Sequence, residues 1–414
     1  MDSLVPSESS EYITLVLWKR SAMKIFTRTV IILSVVSLFT DIASEMLYPV
    51  MPMYLSSIGF SVMLIGLLEG IAEATAGISK GYFGQLSDRI DKRTPFVRYG
   101  YSLSALSKPM LALWTAPLWI FGARTLDRLG KGIRTGARDS MLSAETTAEF
   151  KGRIFGFHRA FDTIGAALGP FAALLFLLVY PAHYQTLFLL AFIPGVLAIA
   201  MTFLVKDNSN RRQKTFSAPG AKPGFFAFFR YWKTAPREFR LLVAGLLFFT
   251  LMNSSDVFLL LMMRHQGAND LQVIGVYIFY NLVYALTSYP MGVLGDSLGL
   301  KTVFISGLVL FAIVYGGIIF AVSIPMLVGI FFLYGIYAAS TEGISKAWIS
   351  NIVPPHEVAT AIGFYTGMQS IGTLLASSVA GWLWYAFSPA MTFGLSAIGA
   401  FLTAMYLALI IRRR

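Results

Sequence analysis

The sequence predicts an all-α polytopic membrane protein whose twelve transmembrane helices form two pseudo-symmetric bundles of six. Three observations carry the prediction. Hydrophobic residues make up 56% of the 414-residue chain and charged residues 13%, where soluble domains have about 25% charged and about 45–50% apolar residues. Apolar runs long enough to span a bilayer, which needs about 20 residues, recur along the whole chain. A glycine and aspartate signature that follows the second run returns after the eighth. A water-soluble globule and a disordered chain are excluded by composition. An outer-membrane barrel is excluded because its segments of about 10 residues alternate in polarity, whereas these runs are continuous. Cysteine is absent, which rules out disulfides and thiolate metal sites.

Residues 1–28 open with Asp2, Glu8 and Glu11. The stretch Ile13–Trp18 is too short to span and lacks the basic start of a cleaved signal peptide, so this segment reads as a tail. Apolar runs then place helices at 29–54, 62–86, 95–113, 116–137, 153–179 and 184–205, a first bundle over 29–205. The interval 206–238 is rich in Lys, Arg, Pro and Gly and turns aromatic at Phe225, Phe226, Phe228, Phe229, Tyr231 and Trp232. It reads as a cytoplasmic linker carrying a helix in the membrane interface, or as a flexible linker with some buried rings. The second bundle, 239–411, holds runs at 239–263, 271–295, 302–322, 325–349, 356–386 and 390–411, and residues 412–414 are a basic end. The breaks Ser56–Ser61, Pro181–Gln185 and Ser323–Pro325 carry no Lys or Arg. Basic breaks alternate with them: Arg89, Lys92, Arg93 and Arg98, then Arg134, Arg138, Lys151 and Arg153. Positive charge stays on the cytoplasmic side, which puts both termini in the cytoplasm and the chain in the cytoplasmic, or inner, membrane.

Gly84-Gln-Leu-Ser-Asp88-Arg89-Ile-Asp-Lys92-Arg93 and Gly292-Val-Leu-Gly-Asp296-Ser-Leu-Gly299-Leu-Lys301 echo each other. Internal repeats of this kind build transporters from two halves. With twelve spans and a long central loop, the pair resembles the loop signature of the major facilitator superfamily, across essentially the whole chain. The resemblance implies a conformational latch at Gly84, Asp88, Arg89, Lys92, Arg93, Gly292, Asp296, Gly299 and Lys301, with Arg89, Lys92 and Arg93 at the anionic lipid surface. Asp91 stands where the family pattern has its second glycine, which implies a different turn in the first copy. Gly165-Ala-Ala-Leu-Gly169-Pro170 resembles the superfamily's antiporter element. Its small residues suit tight helix packing, and Pro170 bends the helix.

Ionisable groups deep in a bilayer are costly unless paired or wetted, which makes each a functional candidate. Asp41 and Glu45, Glu69 and Glu73, and Arg124, Asp127 and Arg128 fall at spacings of three or four, on single helical faces. His158, Arg159 and Asp162 add a further set, and Lys108 a further cation. A carboxylate beside Arg stays ionised, whereas one in an apolar pocket can carry a proton. The candidates for proton coupling are therefore Glu73, read as lacking a cation on its own helix, Asp41, Glu45, Glu69 and Asp162. Arg124, Arg128 and Lys108 suit an anionic substrate group, with Asn253, Asp256, Asn281, Tyr280, Tyr284 and Tyr337 facing them from the second half. Asp127 with an arginine, Arg159 with Asp162, and Glu342 with Lys346 read equally well as structural ion pairs.

No G-x-x-x-x-G-K-S/T occurs, since Gly130-Lys131-Gly132 leads into Ile133, so nucleotide hydrolysis has no engine. Four histidines without cysteine suggest no metal or cofactor, no nucleophile and base set suggests an enzyme, and topology accounts for the net charge of +12 without nucleic acid. The expected function is secondary transport, driven by protons, of a small carboxylate-bearing or zwitterionic solute, a siderophore-like chelate included, by a monomer in the lipid bilayer. Proton-driven export of amphipathic drugs is the alternative within the class, and a channel or receptor that does not alternate is the alternative outside it.

Overall fold

The computed structural model of the chain describes residues 26–206, 224 and 226–410, except 49, 61, 254, 255, 269 and 322. The tail over 1–25, Phe225 and Arg412–Arg414 lie outside the described residues. Fifteen α-helices, and no strand, occur among the described residues. The first half contains α1 (Arg28–Glu45), α2 (Met51–Ser57), α3 (Val62–Ile90), α4 (Thr94–Leu113), α5 (Pro117–Ala144), α6 (Lys151–Val179) and α7 (Tyr184–Thr202). After the short α8 (Tyr231–Thr234) come α9 (Arg237–Met252), α10 (Val257–His265), α11 (Asp270–Leu298), α12 (Leu300–Gly317), α13 (Ile324–Ile352), α14 (Val358–Ala386) and α15 (Pro389–Ile410).

The first span of each half is broken in two, into α1 and α2 and into α9 and α10, so that each half consists of six spans. Among the described residues, five helices, covering 148–179, 184–202, 300–320, 324–352 and 389–409, are long and apolar enough to cross a membrane by length and composition. Helices α4 and α5 carry buried charge instead. Helix α5 is the clearest case. It starts on Pro117, whose missing N–H costs nothing in a first turn, and runs on to Ala144, past the basic stretch that the sequence places in a loop. Arg134 and Arg138 are therefore helical, at 4% and 7% exposure. Burial is tolerated because each cation is compensated: Arg134 sits 4.5 Å over the Tyr101 ring, and Arg138 holds Asp139 at 2.9 Å and Ser37 at 3.1 Å.

Helix α6 lies against α1 through its small residues. A Cβ on Gly165 would come 2.6 Å from the Leu38 carbonyl, and one on Gly169 would come 2.8 Å from that of Ile42. Pro170 lies within the same helix. The two halves meet along two seams, α3 against α14 and α6 against α11. The linker rings divide: Phe228 and Tyr231 are buried while Phe226 and Phe229 are exposed, and Phe228 fills the space over Gly81 of α3.

Candidate functional site

Each seam is closed at its basic end by one aspartate that caps a helix of the opposite half. Asp88, at the end of α3, accepts from the Thr360 N–H at 2.7 Å and the Thr360 hydroxyl at 2.9 Å, at the start of α14. Asp296, at the end of α11, accepts from the Gly152 and Arg153 N–H groups at 2.8 and 2.9 Å, at the start of α6. Helix N-termini present unpaired donors and the positive end of the dipole, so both carboxylates are well placed. Backbones must touch for these bonds to form. A Cβ on Gly84 would collide with the Ala359 carbonyl, one on Gly292 with that of Gly152, and one on Gly156 would come 2.5 Å from that of Ser288.

Arg93 is 2% exposed rather than at the lipid surface. It bonds Asp88 at 2.5 Å and Ser140 at 2.7 Å, which orients the capping carboxylate. Arg89 and Lys92 are exposed, and Lys301 donates to the Ala408 carbonyl within its own half at 2.9 Å. Both copies turn the chain at positive φ, +52° at Asp91 and +94° at Gly299. Aspartate is among the few side chains that tolerate positive φ, while Gly299, at ψ 135°, takes a conformation open only to glycine.

Above the latches the halves separate. Gly77 still packs against Ser370 at 3.0 Å, whereas Gly70, two turns away on the same face of α3, has nothing within 4 Å. The space between carries the charged residues. Glu69 receives both Nε and a terminal nitrogen of Arg124, with the Nε bond at 3.0 Å, and Arg128 lies 3.8 Å from its other oxygen. Lys108 donates to Asp127 at 2.6 Å and to Ser44 at 3.2 Å, and Ser104 bonds the same Asp127 oxygen at 2.5 Å. Arg124 and Lys108 are 5% and 2% exposed, so their charges are consumed inside the first half. Arg128 is less engaged, and its Nε has no hydrogen-bond partner. Asp41, Glu45 and Glu73 are half-buried. Glu73 faces Lys80, one of its nearest charges, and Lys80 crosses the seam to Ser370 at 2.9 Å. Asp41 and Glu45 make no ion pair or hydrogen bond with another described residue.

Farther along the α6 seam, Asp139 is held by Lys346 of the second half at 2.9 Å. Arg159 bonds the Tyr284 hydroxyl and lies 3.7 Å from Asp162 and 3.9 Å from Glu342. Glu342 and Lys346 thus reach separate partners across the seam rather than each other. In the second half, Asp256 accepts from Tyr334 at 2.6 Å. Asn253 donates to Tyr337 at 3.3 Å, and Tyr280 packs on Tyr334 at 5.0 Å. Asn281 donates to the Tyr277 carbonyl of its own helix at 3.0 Å, the usual way for a buried amide to satisfy itself. Sequence reasoning overlooked Lys80, Ser370, Asp139 and Thr360. Lys80 lies seven residues after Glu73 on the same helix and face, which corrects the expectation that Glu73 has no cation on its helix; Thr360 and Ser370 carry no such signal.

An all-helical pair of six-span halves, joined by reciprocal caps and holding paired charge between them, defines a multi-pass membrane transporter built from repeats. The chain belongs to the Major Facilitator Superfamily, whose family model matches residues 33–279 and 241–414. It is 33% identical over 390 residues to an uncharacterized MFS-type transporter of Methanocaldococcus jannaschii, covering 93% of this chain and 95% of that one. The fold is similar to that of the human organic anion transporter MFSD10, with a TM-score of 0.78 at 16% identity over 92% of this chain and 99% of that one. It is also similar to that of the proton:xylose symporter XylE, with a TM-score of 0.72 at 14% identity over 94% and 96%. Membership makes the protein a transporter of a small-molecule substrate and not an enzyme.

Proposed function

We propose that the protein is a proton-coupled secondary transporter that moves a small zwitterionic or carboxylate-bearing solute by alternating access, as a monomer in the cytoplasmic membrane with its basic end in the cytoplasm. The observation that carries this reading is the asymmetry of the α3 seam, capped by Asp88 at the basic end and parted at Gly70, with Asp296 capping the other seam at the same end. On this assignment the conformation is open to the outside and shut toward the cytoplasm, and transport requires both caps to release. Arg128, with an unbonded Nε, is the guanidinium left for a substrate carboxylate. Asp41 and Glu45 are carboxylates left for a proton or a substrate ammonium, which favours a zwitterion over a simple anion. Glu73, opposite Lys80, remains a coupling residue.

Ligands that bind the native state raise its thermal stability by mass action. The purified protein, heated with amino acids, dicarboxylates, citrate and hydroxamate chelates at acidic and neutral pH, is expected to be stabilised by a zwitterion in a pH-dependent way that Arg128→Ala abolishes. Stabilisation by amphipathic cations alone would refute the substrate class.

A further inference from the structure

The α6 seam contains a small chamber lined by Asp139, Phe155, His158, Arg159, Asp162, Glu342, Gly343 and Lys346, residues of both halves. His158 is 4% exposed. Its Nδ1 lies 3.5 Å from Asp162, and its Nε2 has no hydrogen-bond partner. An unsatisfied buried ring nitrogen calls for an explanation, and the charges around it provide one. From α5 the imidazole is faced by Arg138 and Asp139, from its own helix by Arg159 and Asp162, and from α13 by Lys346 and Glu342. Tyr284 of α11 is engaged by Arg159, and Asp41 of α1 lies beyond Asp162 on the half-buried side.

The chamber groups balance when the imidazole is neutral: Arg138, Arg159 and Lys346 against Asp139, Asp162 and Glu342. Only one of these ties holds a full ion pair across the seam at close range, Lys346 on Asp139 at 2.9 Å. A proton taken up on Nε2 turns the ring into a cation belonging to the first half. Asp139 and Asp162 are then satisfied from within that half, and Lys346 is left facing surplus positive charge.

We propose that His158 is the proton-binding residue that converts protonation into release of the Lys346–Asp139 tie, and so into separation of the halves at this seam. The proposal rests on the alternating-access reading above and adds the residue through which the proton acts. It assigns the opening of the seam to His158 and leaves Glu73 its part in proton uptake.

The test uses the absence of native cysteine. Ser288 is 1% exposed and backs onto Gly156 of the opposite half, so Ser288→Cys in nanodiscs reports opening by its rate of maleimide labelling. The rate, corrected for thiolate content with a free thiol standard, is expected to rise about tenfold or more on acidification, the factor given by losing one charge-assisted bond. His158→Gln should flatten that response while eluting as a folded species, and His158→Lys should label fast at every pH. In parallel, histidine-labelled protein with all four native histidines should show by NMR one ring, absent from His158→Gln, that titrates over the same range as the labelling. A pH response that persists in His158→Gln, or a His158 ring that does not titrate where labelling changes, overturns the proposal. Asp296→Asn in the same background separates the two readings. If it labels fast while the pH response ignores His158, only this proposal fails. If neither it nor acid opens the seam, alternating access fails as well.

Discussion

Removing one cap should shift the conformational equilibrium by an amount the geometry sets. Asp296 accepts two backbone N–H groups at 2.8 and 2.9 Å and lies 3.4 Å from Arg153 Nε. Its side chain is 3% exposed, so water does not replace these bonds while the seam is shut. Asp296→Asn keeps one acceptor oxygen and turns an NH2 group toward the second N–H, so it loses one charge-assisted bond of about 1.5–3 kcal/mol. It also loses the favourable placement of charge at the N-terminus of α6, about 0.3–1 kcal/mol. Together these amount to about 2–4 kcal/mol, or a factor of about 30 to about 700 in the closed-to-open ratio. The assay is labelling of Ser288→Cys with and without Asp296→Asn, in vesicles that expose the basic end. A rate that stays within about twofold of the parent, in protein that remains folded, would refute the view that the cap holds the halves together.

Gly84→Ala drives a methyl group into the Ala359 carbonyl and is expected to favour the open seam, read out by the same labelling. Arg124→Ala leaves Glu69 and Asp127 without their guanidinium. Glu69 is 36% exposed and keeps Arg128, and Asp127 keeps Lys108, so the loss is about 1–3 kcal/mol; a lower unfolding midpoint is expected before any change in substrate affinity, and an unchanged midpoint would count against the pairing. Glu73→Gln, assayed by proton uptake in liposomes once a substrate is found, should lose pH dependence while keeping exchange; retained pH dependence removes Glu73 from coupling. Tyr231 lies in the linker, where burial and then the Glu357 carboxylate push its phenol above the ordinary tyrosine range. It therefore stays a donor at 3.0 Å to Glu357, and Tyr231→Phe should cost about 1 kcal/mol in thermal unfolding and should remove part of the parent's loss of stability above the ordinary tyrosine value, where the unfolded phenol ionises and the folded one does not.

The repeat was the most legible feature, because a cap at the end of a long helix needs its glycine and its aspartate at a fixed spacing. Gly84 with Asp88 and Gly292 with Asp296 therefore stand out in the linear sequence. The carboxylates at intervals of three and four were visible for the same reason. Their partners were not. Arg124 reads as a free cation in sequence, yet Glu69 that neutralises it is 55 residues away, and Lys346 that holds Asp139 lies on the other half of the chain. Arg134 and Arg138 looked like a basic loop because charge normally ends a span. Only the Tyr101 ring and Asp139 beside them make burial tolerable.

Hydropathy and the paired signature by themselves determined a helical membrane protein in two related halves, because the bilayer demands satisfied backbone hydrogen bonds in every span and leaves few other folds. Which charges remain available, which end of the seams is shut, and where an unpartnered imidazole meets an ion pair between the halves were decided only in three dimensions. The reason is physical. A charge's role in a low-dielectric interior depends on what lies within a few ångströms of it, and here those neighbours come from other helices.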